Sequence, residues 1–202
     1  MIGKVYSAAV TGIYAVPVEV QADVAPGIPY FELTGNLAGT TKEAKERVRI
    51  AIKNSKFQIN PSKITINMIP ANIRKEGTSY DLAVAVAVLT AVGVIAAKKV
   101  SGALFIGELG LDGEICNVSS ILPMTLCARD NGFTICYVPI GNVGEASLVT
   151  GIRVIGISSL RECVDYINNG CNCRAHVDNN IDNADDNNID FADIRGQASA
   201  KR

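Results

Sequence analysis

Residues 75–94 read KEGTSYDLAVAVAVLTAVGV. From Ser79 onward the segment is apolar on nearly every side of a helix, and it is too long for a strand. It therefore predicts a helix over residues 79–94 that is buried all round, with Thr78 and Asp81 at its start. Such a helix belongs in the interior of a domain, with other elements packed around it.

The segments on either side predict those other elements. Two strands, over residues 14–24 and 30–33, flank a Pro26-Gly27 turn and predict a hairpin. An amphipathic helix is predicted over residues 40–55, with Thr40 and Glu43 as a capping box. Further strands are predicted over residues 63–69, 103–108, 133–138 and 153–156, and further helices over residues 119–130, 143–149 and 159–167. Early hairpins followed by alternating strands and helices predict an α/β (α+β) domain with a mixed sheet and packed helices.

Composition excludes several classes of protein. The chain has 202 residues, of which 48% are hydrophobic, and its formal net charge is −1. That charge gives no global attraction to nucleic acid or to an anionic membrane. No apolar run reaches the ~18 residues that span a bilayer, and no signal peptide is expected from the first residues. Six cysteines without a signal peptide are typical of reduced thiols, so a cytoplasmic location without membrane contact is expected.

The C-terminal part of the sequence changes character. Residues 178–190 read DNNIDNADDNNID, a polar and acidic stretch whose low hydrophobicity predicts a flexible linker. Residues 191–202, FADIRGQASAKR, then resume as the start of a further ordered element. We therefore predict one folded domain over residues 1–169, a linker over residues 170–190, and the beginning of a second, truncated module over residues 191–202.

Several sequence blocks together resemble the Mg-chelatase-like AAA+ ATPases of the ComM/YifB family. The blocks are Val18-Glu19-Val20, Lys45-Glu46-Arg47-Val48-Arg49, Ala51-Ile52-Lys53-Asn54-Ser55, Ile64-Thr65-Ile66-Asn67, Lys75-Glu76-Gly77 with Tyr80-Asp81-Leu82, and Gly107-Glu108-Leu109. Each is weak alone, but their order and spacing over residues 1–168 are specific. The chain departs from the family pattern locally, with Gly35-Asn36-Leu37 in place of Gly-Leu-Pro and Ala83 in place of a proline.

The resemblance implies a domain with the fold of the Lon protease domain, followed by an AAA+ module that residues 193–202 would begin. The family is linked to DNA processing, including branch migration during natural transformation. The full-length protein would then be an ATPase that uses ATP and Mg²⁺, forms homo-oligomers and contacts DNA. The present residues contain no phosphate-binding G-x-x-x-x-G-K-[ST] motif, so no cofactor is expected in this part.

Lon-type proteases use a serine activated by a lysine, and the resemblance places Ser79 at the nucleophile position. The partner lysine should lie in the predicted helix over residues 119–130, where the matched position is Leu122 and no lysine occurs. The single histidine, His176, lies in the predicted linker. Since a serine without a base is a poor nucleophile, no catalytic residue is predicted, and Ser79 is equally explained as a helix-start residue.

A metal site and a nucleic-acid site are the two other candidates. Cys171, Cys173 and His176 have a spacing unusual for zinc and no second ligand pair nearby, so no metal site is predicted. The candidate nucleic-acid contacts are Lys42, Lys45, Arg49, Lys53, Arg74 and Lys75. Alternatively, the charged face of the helix over residues 40–55 is an ordinary solvated surface with Glu43–Arg47 and Glu46–Arg49 pairs.

These observations favour a non-catalytic accessory domain of a Mg-chelatase-like AAA+ ATPase, serving assembly or substrate engagement beside its own ATPase module. Two alternatives remain at this point. One is a Lon-type serine peptidase that uses Ser79 with an unrecognised base. The other is a free-standing interaction module. The absent lysine favours the accessory domain over the peptidase.

Overall fold

A computed structural model describes residues 2–170 of the chain. The strands are β1 Gly3–Thr11, β2 Tyr14–Pro26, β3 Tyr30–Thr34, β4 Ser62–Ile69, β5 Ala103–Phe105, β6 Glu108–Leu109, β7 Ile115–Cys116, β8 Ile135–Pro139 and β9 Arg153–Ile157. The helices are α1 Gly39–Lys42, α2 Ala44–Asn54, α3 Asp81–Ala91, α4 Ala97–Val100, α5 Ile121–Asp130, α6 Val143–Ala146 and α7 Leu160–Asn169. The predicted mixed α/β fold is confirmed.

Seven of the strands form one mixed sheet in the order β3-β4-β2-β1-β5-β8-β9, and β6 and β7 form a separate antiparallel ribbon. The predicted hairpin between residues 14–24 and 30–33 is wrong. Strand β2 instead pairs antiparallel with β1 and β4, and β3 pairs parallel with β4 at the edge of the sheet. The tight hairpin of this region joins β1 to β2, since Thr11 is paired with Tyr14.

Helix α3 is the centre of the main core, as its sequence predicts. Every residue from Asp81 to Ala91 is buried, and the helix packs against β1 and β2. Helices α2 and α7 flank α3 on the same side of the sheet, while α5 and α6 cover part of the other side. A helix enclosed in this way has no amphipathic stripe, which is why its sequence is apolar nearly all round.

The predicted helix over residues 40–55 is divided into α1 and α2 at Glu43. The proposed Thr40–Glu43 capping box is wrong, because α1 begins after Ala38 and neither helix has a side-chain cap. The apolar face is confirmed, with Ala44, Val48, Ala51 and Ile52 buried. Thr41 is also buried, and its hydroxyl donates to the carbonyl oxygens of Lys75 and Gly77. The Thr41 hydroxyl therefore ties α1 to the segment that precedes α3.

Most of the other predicted elements lie close to their observed positions, but the predicted strand over residues 103–108 is divided into β5 and the start of β6, and no prediction covered β1 or α4. The Asp112-Gly113 turn joins β6 to β7, and α7 has a side-chain cap because the Ser159 hydroxyl accepts the Glu162 N–H at 3.2 Å. Between residues 2 and 170, no helix combines the length and apolar character needed to cross a bilayer. Residues 171–202 lie outside the described residues, and they include all of the predicted linker but Gly170, the predicted start of a second module, Cys171, Cys173 and His176.

Candidate functional site

Ser79 lies at the base of a cleft of about 480 Å³ in front of α3. Its side chain is only 7% exposed, and its carbonyl oxygen accepts the Gly107 N–H at 3.0 Å. Leu82 N–H in turn donates to the Gly107 carbonyl at 3.0 Å. These two bonds fix the turn before α3 to the end of β5, so Ser79 has a defined position in the fold.

The segment before α5 forms the opposite wall of this cleft. Ser119 and Ser120 line it, and Ser120 has a left-handed backbone conformation with φ 61°. Leu122, which occupies the position expected for a lysine, is not among the lining residues, and its N–H donates to Glu145 Oε1 at 3.3 Å. The structure therefore brings the two matched segments to one cleft, to which the second segment contributes Ser119 and Ser120 but no amine.

No lysine, arginine or histidine among the described residues lines the cleft. The lining residues are Val10, Glu76, Gly77, Thr78, Ser79, Tyr80, Glu108, Asn117, Val118, Ser119, Ser120 and Met124. Its two carboxylates have other partners, since Glu108 accepts the Thr78 hydroxyl at 2.5 Å and Glu76 pairs with Arg74 at 3.0 Å. The Ser79 hydroxyl, which would be the nucleophile, therefore has no nitrogen base beside it in the cleft.

Ser79 does not act as a helix cap either. The N-cap residue of α3 is Tyr80, and no side chain caps that helix. Ser79 therefore lies just before α3, as its interpretation as a helix-start residue expects, but its hydroxyl caps no N–H of that helix. The first turn of α3 is held instead by backbone bonds, including Asp81 N–H to the Thr78 carbonyl at 3.2 Å.

Lys75 is fully buried, and its ammonium lies among backbone carbonyls. It donates to the carbonyl oxygens of Gly35 at 3.0 Å and Met68 at 3.3 Å, and also to that of Pro70. A Cβ at Gly35, where φ is +119°, would overlap the Met68 carbonyl, so only glycine brings both acceptors to the ammonium. Burial lowers the pKa of Lys75. Lys75 thus ties the segment before Ser79 to the end of β4.

Arg47 and Asp81 form a second buried polar contact. Arg47 Nε lies 2.8 Å from Asp81 Oδ2 and Nη2 lies 3.2 Å from Oδ1, a bidentate geometry that links α2 to the start of α3. The Asp81 side chain is completely buried and also accepts the Leu109 N–H at 3.4 Å. Burial raises the pKa of the Asp81 carboxyl, although Arg47 and the Leu109 N–H act in the opposite direction.

A groove of about 970 Å³ lies between α2, the edge strand β3 and the loop that precedes β4. Its rim carries Lys45, Arg49, Lys53 and Lys56, all exposed, and one carboxylate, Glu46. Arg49 pairs with Glu46 at 2.8 Å, as predicted. Within residues 2–170 the three lysines form no ion pair, so the rim has a net positive charge.

The predicted nucleic-acid contacts are thus only partly brought together. Lys45, Arg49 and Lys53 share the groove. Lys42 is exposed at the end of α1, and Arg74 lies beside the Ser79 cleft, where it pairs with Glu76. For Lys75 a surface contact is wrong, because the side chain has no exposed area and its ammonium is directed inward.

Three aromatic side chains line the groove, and a cation on α7 contacts one of them. Tyr30, Phe31 and Phe57 line it, and Tyr30 is half exposed. The Arg161 guanidinium lies 5.1 Å from the Phe57 ring centroid, which links α7 to the groove. Sequence reasoning missed these rings because residues 57–61 have no periodic pattern, and because Tyr30 and Phe31 are equally typical of an ordinary strand.

The described cysteines do not form a metal site. Cys127, Cys136 and Cys163 are buried and Cys116 is exposed, and all four are free thiols. Burial raises the pKa of Cys136 to about 12, so this thiol is a packing group. Among residues 2–170, no cluster of three or more histidine, cysteine, aspartate or glutamate side chains could hold a metal ion.

Comparison with known protein families identifies the domain. Residues 20–142 match the model of subunit ChlI of Mg-chelatase. This range includes the groove, Lys75, the Arg47–Asp81 pair and every lining residue of the Ser79 cleft except Val10. The chain belongs to the Mg-chelatase-like family.

Individual relatives extend the match within the Mg-chelatase-like family. An uncharacterized protein of Mycobacterium tuberculosis is 32% identical over 200 residues, covering 99% of this chain and 40% of the relative. Competence protein ComM of Haemophilus influenzae is 31% identical over 202 residues, which cover 98% of this chain and 40% of ComM. YifB of Escherichia coli is 36% identical over 147 residues, which cover 73% of this chain and 29% of YifB. The chain therefore spans about two fifths of the length of the longer-matching relatives.

Proposed function

We propose that this domain is a non-catalytic, Lon-like accessory module of a cytoplasmic Mg-chelatase-like AAA+ ATPase, serving assembly or the engagement of a DNA substrate. The observation that carries the proposal is the lining of the Ser79 cleft, which has hydroxyls but no nitrogen base. ATP and Mg²⁺ would be bound by a separate ATPase module, since the present residues hold no phosphate-binding motif. The name of a more distant relative, the DNA repair protein RadA of Listeria monocytogenes, which is 27% identical over 173 residues, supports a role with DNA.

The cleft predicts that the chain does not cleave peptides. Loss of a catalytic base typically lowers a rate by about 10² to 10⁴-fold. We expect wild-type protein and the Ser79→Ala variant to leave unfolded casein equally intact. Because Ser79 caps no helix, Ser79→Ala should change the free energy of unfolding by less than about 1 kcal/mol, as measured by urea denaturation. Casein hydrolysis that depends on Ser79 would support the peptidase alternative.

Substrate engagement is assigned to the groove beside α2. Its cations can contact phosphates, and its aromatic rings can stack on unpaired bases, the combination that single-stranded nucleic acid requires. We therefore propose that Lys45, Arg49, Lys53 and Lys56 contact a phosphate backbone without reading its sequence. Such binding is salt-dependent, because each phosphate contact releases condensed counterions.

A matched pair of variants tests this assignment. We expect the Lys45→Gln/Lys53→Gln variant to weaken binding of a fluorescent single-stranded oligonucleotide and to reduce the slope of log K against log salt by about 0.7 per lost contact. The control, Lys98→Gln/Arg153→Gln, makes the same charge change at exposed positions away from the groove. Equal effects of the two variants, measured by fluorescence anisotropy, would mean that only net charge matters.

A further inference from the structure

The groove beside α2 combines apolar walls with a cationic rim. Ile52, Phe57, Ile59 and Ile64 supply apolar surface, and the rim has four cations against one carboxylate. Nothing within residues 2–170 neutralises Lys45, Lys53 or Lys56. A ligand that fits this surface carries several negative charges together with a few apolar groups.

Lys56 holds an unusual position on this rim. It follows the end of α2 with a left-handed backbone, φ 64°, where glycine is the preferred residue. Phe57 N–H donates to the Ile52 carbonyl at 3.2 Å and Lys56 N–H to the Lys53 carbonyl at 3.0 Å, the bonds of a Schellman motif. The side chain at this position is kept at a cost in backbone strain, and it adds a cation to the groove.

We propose that the acidic segment of this same chain, residues 178–190, docks in the groove. The segment DNNIDNADDNNID carries five aspartates and no cation, so its charge complements the rim. Ile181 and Ile189 supply apolar side chains for the walls. The docking does not depend on the function proposed above.

The tether is long enough for this contact. Helix α7 ends at Asn169 and has ten residues, so it is about 15 Å long. Near its start, Arg161 stacks on Phe57 in the groove wall. Residues 170–177 can span up to about 26 Å when extended, which exceeds the length of α7. The acidic segment can therefore turn back along α7 and reach the groove.

Tethering also lowers the affinity that the contact needs. A short linker gives a docked segment an effective concentration in the millimolar range, so a weak contact is populated within one molecule. The segment would occupy the cations assigned above to nucleic acid, which makes the groove self-inhibited. This last consequence, unlike the docking itself, depends on the proposed function.

The test compares amide NMR spectra of the 202-residue chain with those of a variant in which Asp178, Asp182, Asp185, Asp186 and Asp190 are changed to Asn. We expect shift differences at residues 29–31 and 45–62 but not at the cleft residues 76–79. These differences should vanish in about 0.5 M salt, where charges more than a few Å apart are screened. In a second comparison, the five Asp→Asn substitutions are made in a chain that also carries Lys53→Gln and Lys56→Gly. The shift differences that they cause at the groove should then be smaller. Lys56→Gly is compatible with the fold, because glycine favours the φ that Lys56 adopts.

Two control variants distinguish docking in the groove from a general effect of charge. In the Lys98→Gln/Arg153→Gln background the five substitutions should still shift the groove amides. The Ile181→Ser/Ile189→Ser variant keeps the charge of the segment. Its groove amides should shift toward their positions in the variant with the five Asp→Asn substitutions. Shift differences that are absent from the groove, or spread evenly over the domain, would overturn the proposal. Groove shifts that grow with protein concentration would also overturn it, since they would assign the groove to a second copy.

Discussion

Replacing Arg47 with Met is expected to lower the free energy of unfolding by about 3–5 kcal/mol. The substitution leaves the Asp81 carboxylate completely buried with only the Leu109 N–H, at 3.4 Å, as a partner. Methionine retains much of the aliphatic volume, so the loss reports the charge pair and not a cavity. Urea denaturation followed by circular dichroism measures it directly.

Arg49 provides the matched control on the same helix. Arg49→Met also removes a guanidinium, but its partner Glu46 is 58% exposed and is solvated without it. Exposed pairs of this spacing contribute about 0.3–0.5 kcal/mol, so the control should unfold close to wild type. If the two variants were equally stable, the Arg47–Asp81 pair would not connect α2 to α3 in the way the structure indicates.

Lys75→Met is expected to cost at least about 2 kcal/mol. The variant leaves the carbonyl oxygens of Gly35, Met68 and Pro70 without the ammonium that now donates to them. Hydrogen bonds to a charged group contribute about 1.5–3 kcal/mol each, and the saved cost of burying the charge offsets part of that loss. The exposed Lys42→Met is the control and should change stability by less than about 0.5 kcal/mol.

The pH dependence gives Lys75 a second signature. Because burial lowers its pKa, the unfolded chain retains the Lys75 proton to a higher pH than the folded protein does. Between the lowered pKa and the unfolded value of about 10.4, the unfolded state binds more protons, so the contribution of Lys75 to stability rises with pH. The stability gap between wild type and Lys75→Met should therefore widen in alkaline solution. A gap that narrows over that range would contradict the buried position.

Much of the fold could be predicted from local patterns, but no prediction covered β1 or α4, and the Thr40–Glu43 capping box was a local error. The wrong pairing of β2 with β3 concerns a long-range partner, because both strands pair with β4, which is distant in sequence. The continuous apolar run of α3 and the apolar face of α2 identify themselves, because burial dictates composition. The predicted pairing of β2 with β3 is wrong because a Pro-Gly turn is a local signal. Residues 62–69 come between these strands in the sheet, although they are distant in sequence. The residues near the turn carry no signal of the parallel pairing between β3 and β4.

The candidate site divides in a similar way. The absence of a lysine at Leu122 can be read from the sequence, and the structure adds that Ser119 and Ser120 complete the cleft. The Arg47–Asp81 pair could not be predicted, since Arg47 also satisfies the local i,i+4 rule with Glu43 at 4.0 Å. The prediction of a surface Lys75 is wrong because a lysine in a polar segment is usually exposed, and only the folded arrangement of three carbonyls makes its burial favourable.

Covalent labelling of Ser79 tests the non-catalytic assignment most directly. The folded 202-residue chain and its Ser79→Ala variant would be incubated with a fluorophosphonate, and the modified serines would be identified by peptide mass spectrometry. A cleft without a nitrogen base leaves the Ser79 hydroxyl protonated and unreactive, so we predict no labelling of that peptide above the level in Ser79→Ala. Labelling at Ser79 that disappears in Ser79→Ala would contradict the account and show that a base reaches this serine.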